Sequence, residues 1–172
     1  SDFAASFAAG TPLAETELGK VYQAALGATA PDTVFFSDLA PYAPLNGELS
    51  RFIAAPIFTG KTLLGVLALR MSETGIAAVL DSRVGLGETG ETLLVGGDGL
   101  LRSDSPFTEG DDRMTATYAA PSVEQALATG NVSTAHVASW RATPMMSAAA
   151  PLEFLGNNWA VVATIADSEA MA

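Results

Sequence analysis

The sequence has no cysteine, one histidine and only eight lysines and arginines against 19 acidic residues. Without cysteine there are no disulfides and no thiolate metal sites, which fits either a reducing or an oxidising compartment. A net charge of −11 with scattered basic residues excludes nucleic acid as a partner, because phosphate contacts need clustered Lys and Arg. Long hydrophobic runs are also missing. The longest, Trp159 to Ala166, has about eight residues, whereas a bilayer-spanning helix needs roughly 20. There is no initiator Met, basic n-region or apolar h-region at the start, so the sequence reads as a piece cut from a longer protein.

What is present supports a core, since 49% of the 172 residues are hydrophobic and the mean hydropathy is +0.30. Much of that fraction is alanine. Pro12 to Leu26 has helical spacing, with Leu18, Val21, Tyr22, Ala25 and Leu26 on one face and Gly27 as a stop. Thr33 to Leu39 reads as a strand and Pro41 to Glu48 as a loop. Arg51 to Phe58 and Thr62 to Leu69 read as strands around Thr59-Gly60-Lys61. Ser72 is placed to cap a helix running to about Arg83. Glu91 to Val95 and Leu100 to Ser103 flank the turn Gly96-Gly97-Asp98-Gly99, whose glycines supply the positive φ angles of a tight hairpin. Beyond an acidic segment, Thr108 to Ala120, Ser122 is expected to cap the helix Val123 to Ala128, which Gly130 ends. Strands then cover 132–141, 145–154 and 159–166, with turns at Ala142-Thr143-Pro144 and 155–158, and a helix begins near Asp167.

An internal repeat runs through this order. Ala54-Ala55-Pro56 recurs as Ala149-Ala150-Pro151, and the same offset of 95 sets Leu64 to Ala68 on Trp159 to Ala163. Gln23 to Gly27 resembles Gln125 to Gly130. The second copy has the hairpin 91–103 ahead of its helix, where the first has only Ser1 to Thr11. A hairpin and a leading helix are therefore expected to be missing from the first copy, leaving an open sheet edge.

Two phosphate-loop patterns fail on context. Gly85-Leu-Gly87-Glu-Thr-Gly90 matches G-x-G-x-x-G but follows a helix and opens into a strand, the reverse of a dinucleotide site. Gly60-Lys61-Thr62 joins two strands and has Ala55 where the earlier glycine belongs. Glu109, Asp111 and Asp112 lack the spacing of a calcium loop and read as a solvated acidic stretch. No nucleophile–base pairing or metal cluster is evident, so an enzyme is not expected, and no cofactor is implied. A pocket of a few polar groups among apolar walls is the better expectation. Its candidates are Arg102 and Asp104 at the hairpin exit, Tyr118 on the crossing segment, and His136, Trp140 and Arg141 on the following strand. Asp38, Tyr42 and Arg51 stand in comparable places in the first copy. Arg102 or Arg141 could hold a carboxylate bidentately, with Tyr118 and Trp140 as walls. Equally, the arginines could pair with surface acids and the aromatics belong to the core.

Val84 to Phe107, VGLGETGETLLVGGDGLLRSDSPF, resembles the opening of the membrane-proximal PAS-like (Cache) sensor module of bacterial chemoreceptors and related sensor kinases and cyclases, "GLGETGETYLVGxDGLxRSDSRF". Phe35 to Pro44 and Phe52 to Phe58 extend the resemblance over most of the chain. It implies an α+β fold of two modules, each a five-stranded antiparallel sheet of order 2-1-5-4-3 with flanking helices. Residues 1–71 would be a truncated distal module, 72–84 a connecting helix and 85–172 a complete proximal module. It further implies the periplasmic sensory region of a membrane-anchored, homodimeric receptor, binding a small molecule and relaying the change across the inner membrane. The alternative is a structural or dimerisation module with no ligand of its own. The family's amino-acid motif, an aromatic and arginine cluster ahead of an aspartate, is not recognisable here.

Overall fold

The computed structural model describes residues 6–172. They form two compact units: one comprises the residues up to Ser72 with Leu155–Asn157, the other Glu73–Phe154 with Asn158–Ala172. Both are mixtures of helix and antiparallel sheet.

In the first unit, helix α1 (Glu17–Leu26) starts five residues later than its apolar spacing predicts. Thr16 is extended and its hydroxyl accepts the Gly19 amide at 3.1 Å, an N-cap that sets the boundary. Gly19 is required there, since a Cβ would lie 2.1 Å from the Leu13 carbonyl oxygen. The expected strand over 33–39 shrinks to β1 (Phe35–Phe36). The expected loop instead contains a small hairpin, β2 (Ala40–Tyr42) and β3 (Glu48–Ser50), around a 3-10 turn at Ala43–Leu45. Asn46 and Gly47 both take positive φ (56° and 82°), the conformation Asn-Gly adopts most readily, and this reverses the chain. β4 (Phe52–Thr59) and β5 (Thr62–Arg70) follow the sequence expectation within a residue, and the sheet runs β1-β4-β5.

Leu18, Val21 and Ala25 of α1 pack with Tyr42, Phe52, Ala54, Val66 and Ala68. The opposite sheet face carries Ile57, Leu67 and Leu69, all exposed. Pairing in the β4–β5 hairpin passes from Phe58–Leu63 to Ile57–Gly65, leaving Leu64 as an unpaired extra residue that is 65% exposed. The bulge corrects the repeat. Val66 and Ala68 face the core, but at an offset of 95 they fall on Val161 and Ala163, which are not core residues. The true partners beyond the bulge are Ala160 and Val162, at an offset of 94.

The second unit opens with α2 (Thr74–Leu80), shorter at both ends than expected. The N-cap position falls on Glu73 rather than on Ser72, and the Glu73 side chain does not cap the helix. The helix stops at Asp81, and Arg83 turns its guanidinium on the carbonyls of Gly87, Glu88 and Gly90. β6 (Glu91–Gly96) leads into the glycine turn, where Gly99 has φ 81°. The second strand of this hairpin, expected over 100–103, is reduced to single bridges, Val95–Leu101 and Leu100–Thr117. The cause is local. The Leu94 amide, which a continuing partner strand would engage, donates to the Ser103 hydroxyl at 2.9 Å.

α3 (Pro121–Thr129) has Pro at its first position and ends on Gly130 in the left-handed region, φ 69°. Ser122 sits inside the helix rather than capping it, and its buried hydroxyl bonds that of Ser147 at 2.9 Å. β7 (Ser133–Trp140), β8 (Thr143–Phe154) and β9 (Asn157–Ala166) complete a four-stranded antiparallel sheet of order β6-β9-β8-β7, and α4 (Asp167–Ala170) closes the chain. The β7–β8 turn falls on Arg141 and Ala142, both at positive φ, not on 142–144. Pro144 lies inside β8, opposite the irregularity between Val137 and Trp140, where its missing N–H costs no ladder bond. Leu93, Val95, Leu101, Val123, Met145 and Val162 form the centre of this core.

Candidate ligand-binding site

A half-open cleft of about 340 Å³ lies within the second unit, between α2 and the exit of the β6 hairpin. α2 presents Glu73, Ile76, Ala77 and Asp81. The hairpin exit presents residues 102–106, and Arg113 closes one side. Arg102 and Asp104, both expected at a pocket edge, line it.

The two arginines of the cleft are already engaged by acids outside its lining. Arg102 is 5% exposed and grips Asp98 of its own turn with two bonds, 2.9 and 3.0 Å, while also donating to the Leu100 carbonyl. Its guanidinium fills the space over Gly96, where a Cβ would lie 2.4 Å from Cζ. Burial pushes the Asp98 carboxyl up, but the hydrogen bonds and charge of Arg102 and the Leu100 amide outweigh it and hold the group below its ordinary 3.8. Arg113 grips Asp111 at 2.8 and 2.6 Å and stands 4.0 Å from Glu73. That bond to Arg113 is the chief cause of the depressed Asp111 carboxyl, and it raises Arg113 in turn. The remaining charged groups of the lining are the carboxylates of Glu73, Asp81 and Asp104, the last accepting the amides of Ser105 and Asp112. The cleft therefore offers negative charge beside the apolar Ile76, Ala77 and Pro106, an environment complementary to a cationic group.

Trp140 and Arg141 come together elsewhere, with Tyr118 packed on Trp140 and bordering a second hollow between the glycine turn and α3. Their centre is Glu91, which is 1% exposed. Its carboxylate accepts the Trp140 indole N–H at 2.8 Å and the Ser105 hydroxyl at 2.5 Å, and lies 2.9 Å from Arg141 Nε. Tyr118 meets Trp140 edge-on, ring centroids 5.2 Å apart, and donates to Thr164 Oγ1 at 3.1 Å; burial raises its phenol. Arg141 also lies over the Phe107 ring at 4.1 Å, and Arg83 at 4.5 Å. His136 stands apart and exposed, with Nδ1 3.2 Å from Asp167. In the first unit Tyr42 packs edge-on against Phe52, Arg51 is fully buried, and Asp38 accepts the Leu39 amide at 2.7 Å.

Sequence reading missed Glu73 and Glu91. Glu91 had a signal, since it shares strand parity with Leu93 and Val95 and so places a carboxylate on the core face. Glu73 had none, because only the tertiary placement of α2 brings it to the cleft.

No protein-family model matches the sequence, and no curated protein matches it. Solved structures do. The ligand-binding domain of the Pseudomonas fluorescens chemoreceptor CtaA, solved with L-isoleucine, is 14% identical with a TM-score of 0.59, over 95% of this chain and 62% of that one. That of the Pseudomonas aeruginosa PAO1 amino acid chemoreceptor PctB, solved with L-Arg, is 19% identical with a TM-score of 0.59, over 95% and 64%. The periplasmic sensory domain of the Campylobacter jejuni chemoreceptor Tlp1 is 15% identical with a TM-score of 0.66, over 92% and 57%. The chain thus spans less than two thirds of the length of each. At these identities the likeness is one of fold, and the fold is that of chemoreceptor sensory domains.

Proposed function

We propose that this chain is the greater part of the extracytoplasmic sensory region of a bacterial transmembrane receptor, most simply a chemoreceptor, and that the cleft beside α2 binds a small molecule carrying an ammonium group. The observation that carries this reading is the cleft's charge: its arginines are bound chiefly by Asp98 and Asp111, so the carboxylates of Asp81 and Asp104, with Glu73 beside Arg113, leave the lining acidic on balance. The ligands in the similar structures (isoleucine, alanine, serine, arginine, GABA) all carry an amino group. The role is binding rather than catalysis, at the periplasmic face of the inner membrane, in a homodimeric receptor anchored by segments outside this sequence. No helix among the described residues is long and apolar enough to cross a membrane.

The finer architecture belongs to the same proposal. Residues 85–172 form the proximal module, and the bridges at Leu100 and Leu101 are the reduced second strand of a five-stranded order 2-1-5-4-3. Residues 1–71 belong to a distal module, and 72–84 connect the two.

Thermal shift against a library of amino acids, amines and organic acids tests the function. Amines and amino acids at many times their Kd should stabilise the protein by a few kcal/mol, about 2.7 at a hundredfold excess. Asp104→Asn should weaken that response. A flat response from a folded sample would overturn the ligand reading and leave a structural or dimerising role.

A further inference from the structure

We propose that Glu169 is a latch between the C-terminal helix and the loop 85–90, and that the wall of the cleft sets this latch through a continuous polar chain, Ser105–Glu91–Arg141–Thr89–Glu169. Its role as an output rests on the sensing function proposed above; the coupling itself does not.

The latch is closed here. One carboxylate, on α4, accepts the amides of Glu88 at 2.7 Å and Thr89 at 2.8 Å, and the Thr89 hydroxyl as well. That hydroxyl in turn accepts the Ala166 amide at 3.1 Å, so Thr89 holds both ends of the β9–α4 junction. The fit is close: a Cβ at Gly87 would lie 2.0 Å from Glu169 Oε1. Charge-assisted bonds of this kind are the strong ones, yet Glu169 is only half buried, so water can replace it on both amides. Those are two discrete arrangements of one loop, the two-state element that coupling requires.

The chain to the cleft consists of hydrogen bonds and one ion pair. Ser105 lines the cleft, and its hydroxyl donates to Glu91 Oε2 at 2.5 Å. Glu91 Oε1 pairs ionically with Arg141, 2.9 Å from Nε but outside hydrogen-bond geometry, and Arg141 donates through Nη2 to the Thr89 carbonyl at 3.1 Å. Glu91 is the node, buried where an ion pair is least screened. A group in the cleft that competes for the Ser105 hydroxyl changes what Glu91 accepts, and so how firmly Arg141 holds the peptide carrying Thr89. Arg83, at the end of the chain segment leaving α2, grips the same loop through the Gly87, Glu88 and Gly90 carbonyls; the first two belong to the planar peptides whose N–H groups Glu169 accepts, so Arg83 and Glu169 hold opposite edges of one pair of peptides.

Amide hydrogen exchange by NMR on the 172-residue chain, with no ligand added, tests the coupling. Ser105→Ala should accelerate exchange at Glu88 and Thr89 by about fivefold or more, the lower range of ordinary couplings, while the amides of β9 keep their rates. In a Glu91→Gln background, Ser105→Ala should add nothing, because the chain is already cut. If that variant fails to fold, Arg141→Lys serves, since it keeps a cation beside Glu91 and removes the bond to Thr89. Unchanged Glu88 and Thr89 rates in Ser105→Ala would overturn the proposal, as would acceleration in proportion with β9, which marks global destabilisation. Because no ligand is used, a flat ligand screen and a failed latch are separate results.

Discussion

At the residue scale the molecule is governed by carboxylates that hold specific donors. Asp98 holds Arg102, Asp111 holds Arg113, Glu91 holds Arg141 and Trp140, and Glu169 holds two amides. Glu169 yields a pH prediction whose sign is fixed by its surroundings. The Thr89 hydroxyl, then the Glu88 and Thr89 amides, favour the charged form, aided by Arg83, so the carboxyl lies below its ordinary 4.5. A group depressed in the folded state stabilises it fully above the unfolded value and stops doing so as pH falls through the folded one. An NMR titration of the Glu169 carboxyl carbon should therefore have its midpoint below 4.5. Thr89→Val should move that midpoint upward; no movement would mean the hydroxyl is not what depresses it.

At the element scale, most regular structure was legible where periodicity was strong and turn chemistry unambiguous. β4, β5, β7, β8 and β9 and the Gly130 stop all lie within a residue or two of their expected bounds. The failures have physical causes. The second hairpin strand dissolved because Ser103 took the amide its ladder needed, and the loop at 41–48 became a hairpin because Asn46-Gly47 bent it. Helix caps were misjudged at Ser72 and Ser122, since a hydroxyl's spacing does not reveal whether it turns to the backbone or, like Ser122, to another side chain. Of the expected site residues, Arg102 and Asp104 line the α2 cleft and Tyr118 borders a second hollow beside the glycine turn, whereas Trp140 and Arg141 converge on a buried glutamate. The β5 bulge supports a sharper expectation. Deleting Leu64, unpaired and exposed, should change stability by less than about 1 kcal/mol. Deleting Val66 can also be absorbed by closing the bulge, but it leaves Gly65 in the core-facing place of a valine and should cost about 2 kcal/mol. Urea unfolding of the two deletion variants compares them directly, and equal costs would contradict the bulge assignment.

At the scale of the whole molecule the two units have unequal cores: among the described residues, five are buried in the first cluster against thirteen in the second. Both tryptophans, Trp140 and Trp159, belong to the second unit. Tryptophan emission therefore follows the larger core, while far-UV circular dichroism follows both. In urea the dichroism should begin to fall before the emission changes, a departure from two-state behaviour; coincident curves would show one cooperative body instead. The open face of β4 and β5 has a consequence for handling. Neither strand contains an acidic residue, although the chain carries 19 and a net charge of −11, and Ile57, Leu67 and Leu69 project from that face into solvent. At low ionic strength, mutual repulsion over a Debye length of about 30 Å (near 0.01 M salt) keeps molecules from meeting on this patch. At 1 M salt that length falls to about 3 Å, so the protein should behave as an adhesive colloid, binding hydrophobic-interaction resins early and salting out at lower sulfate than its acidity suggests.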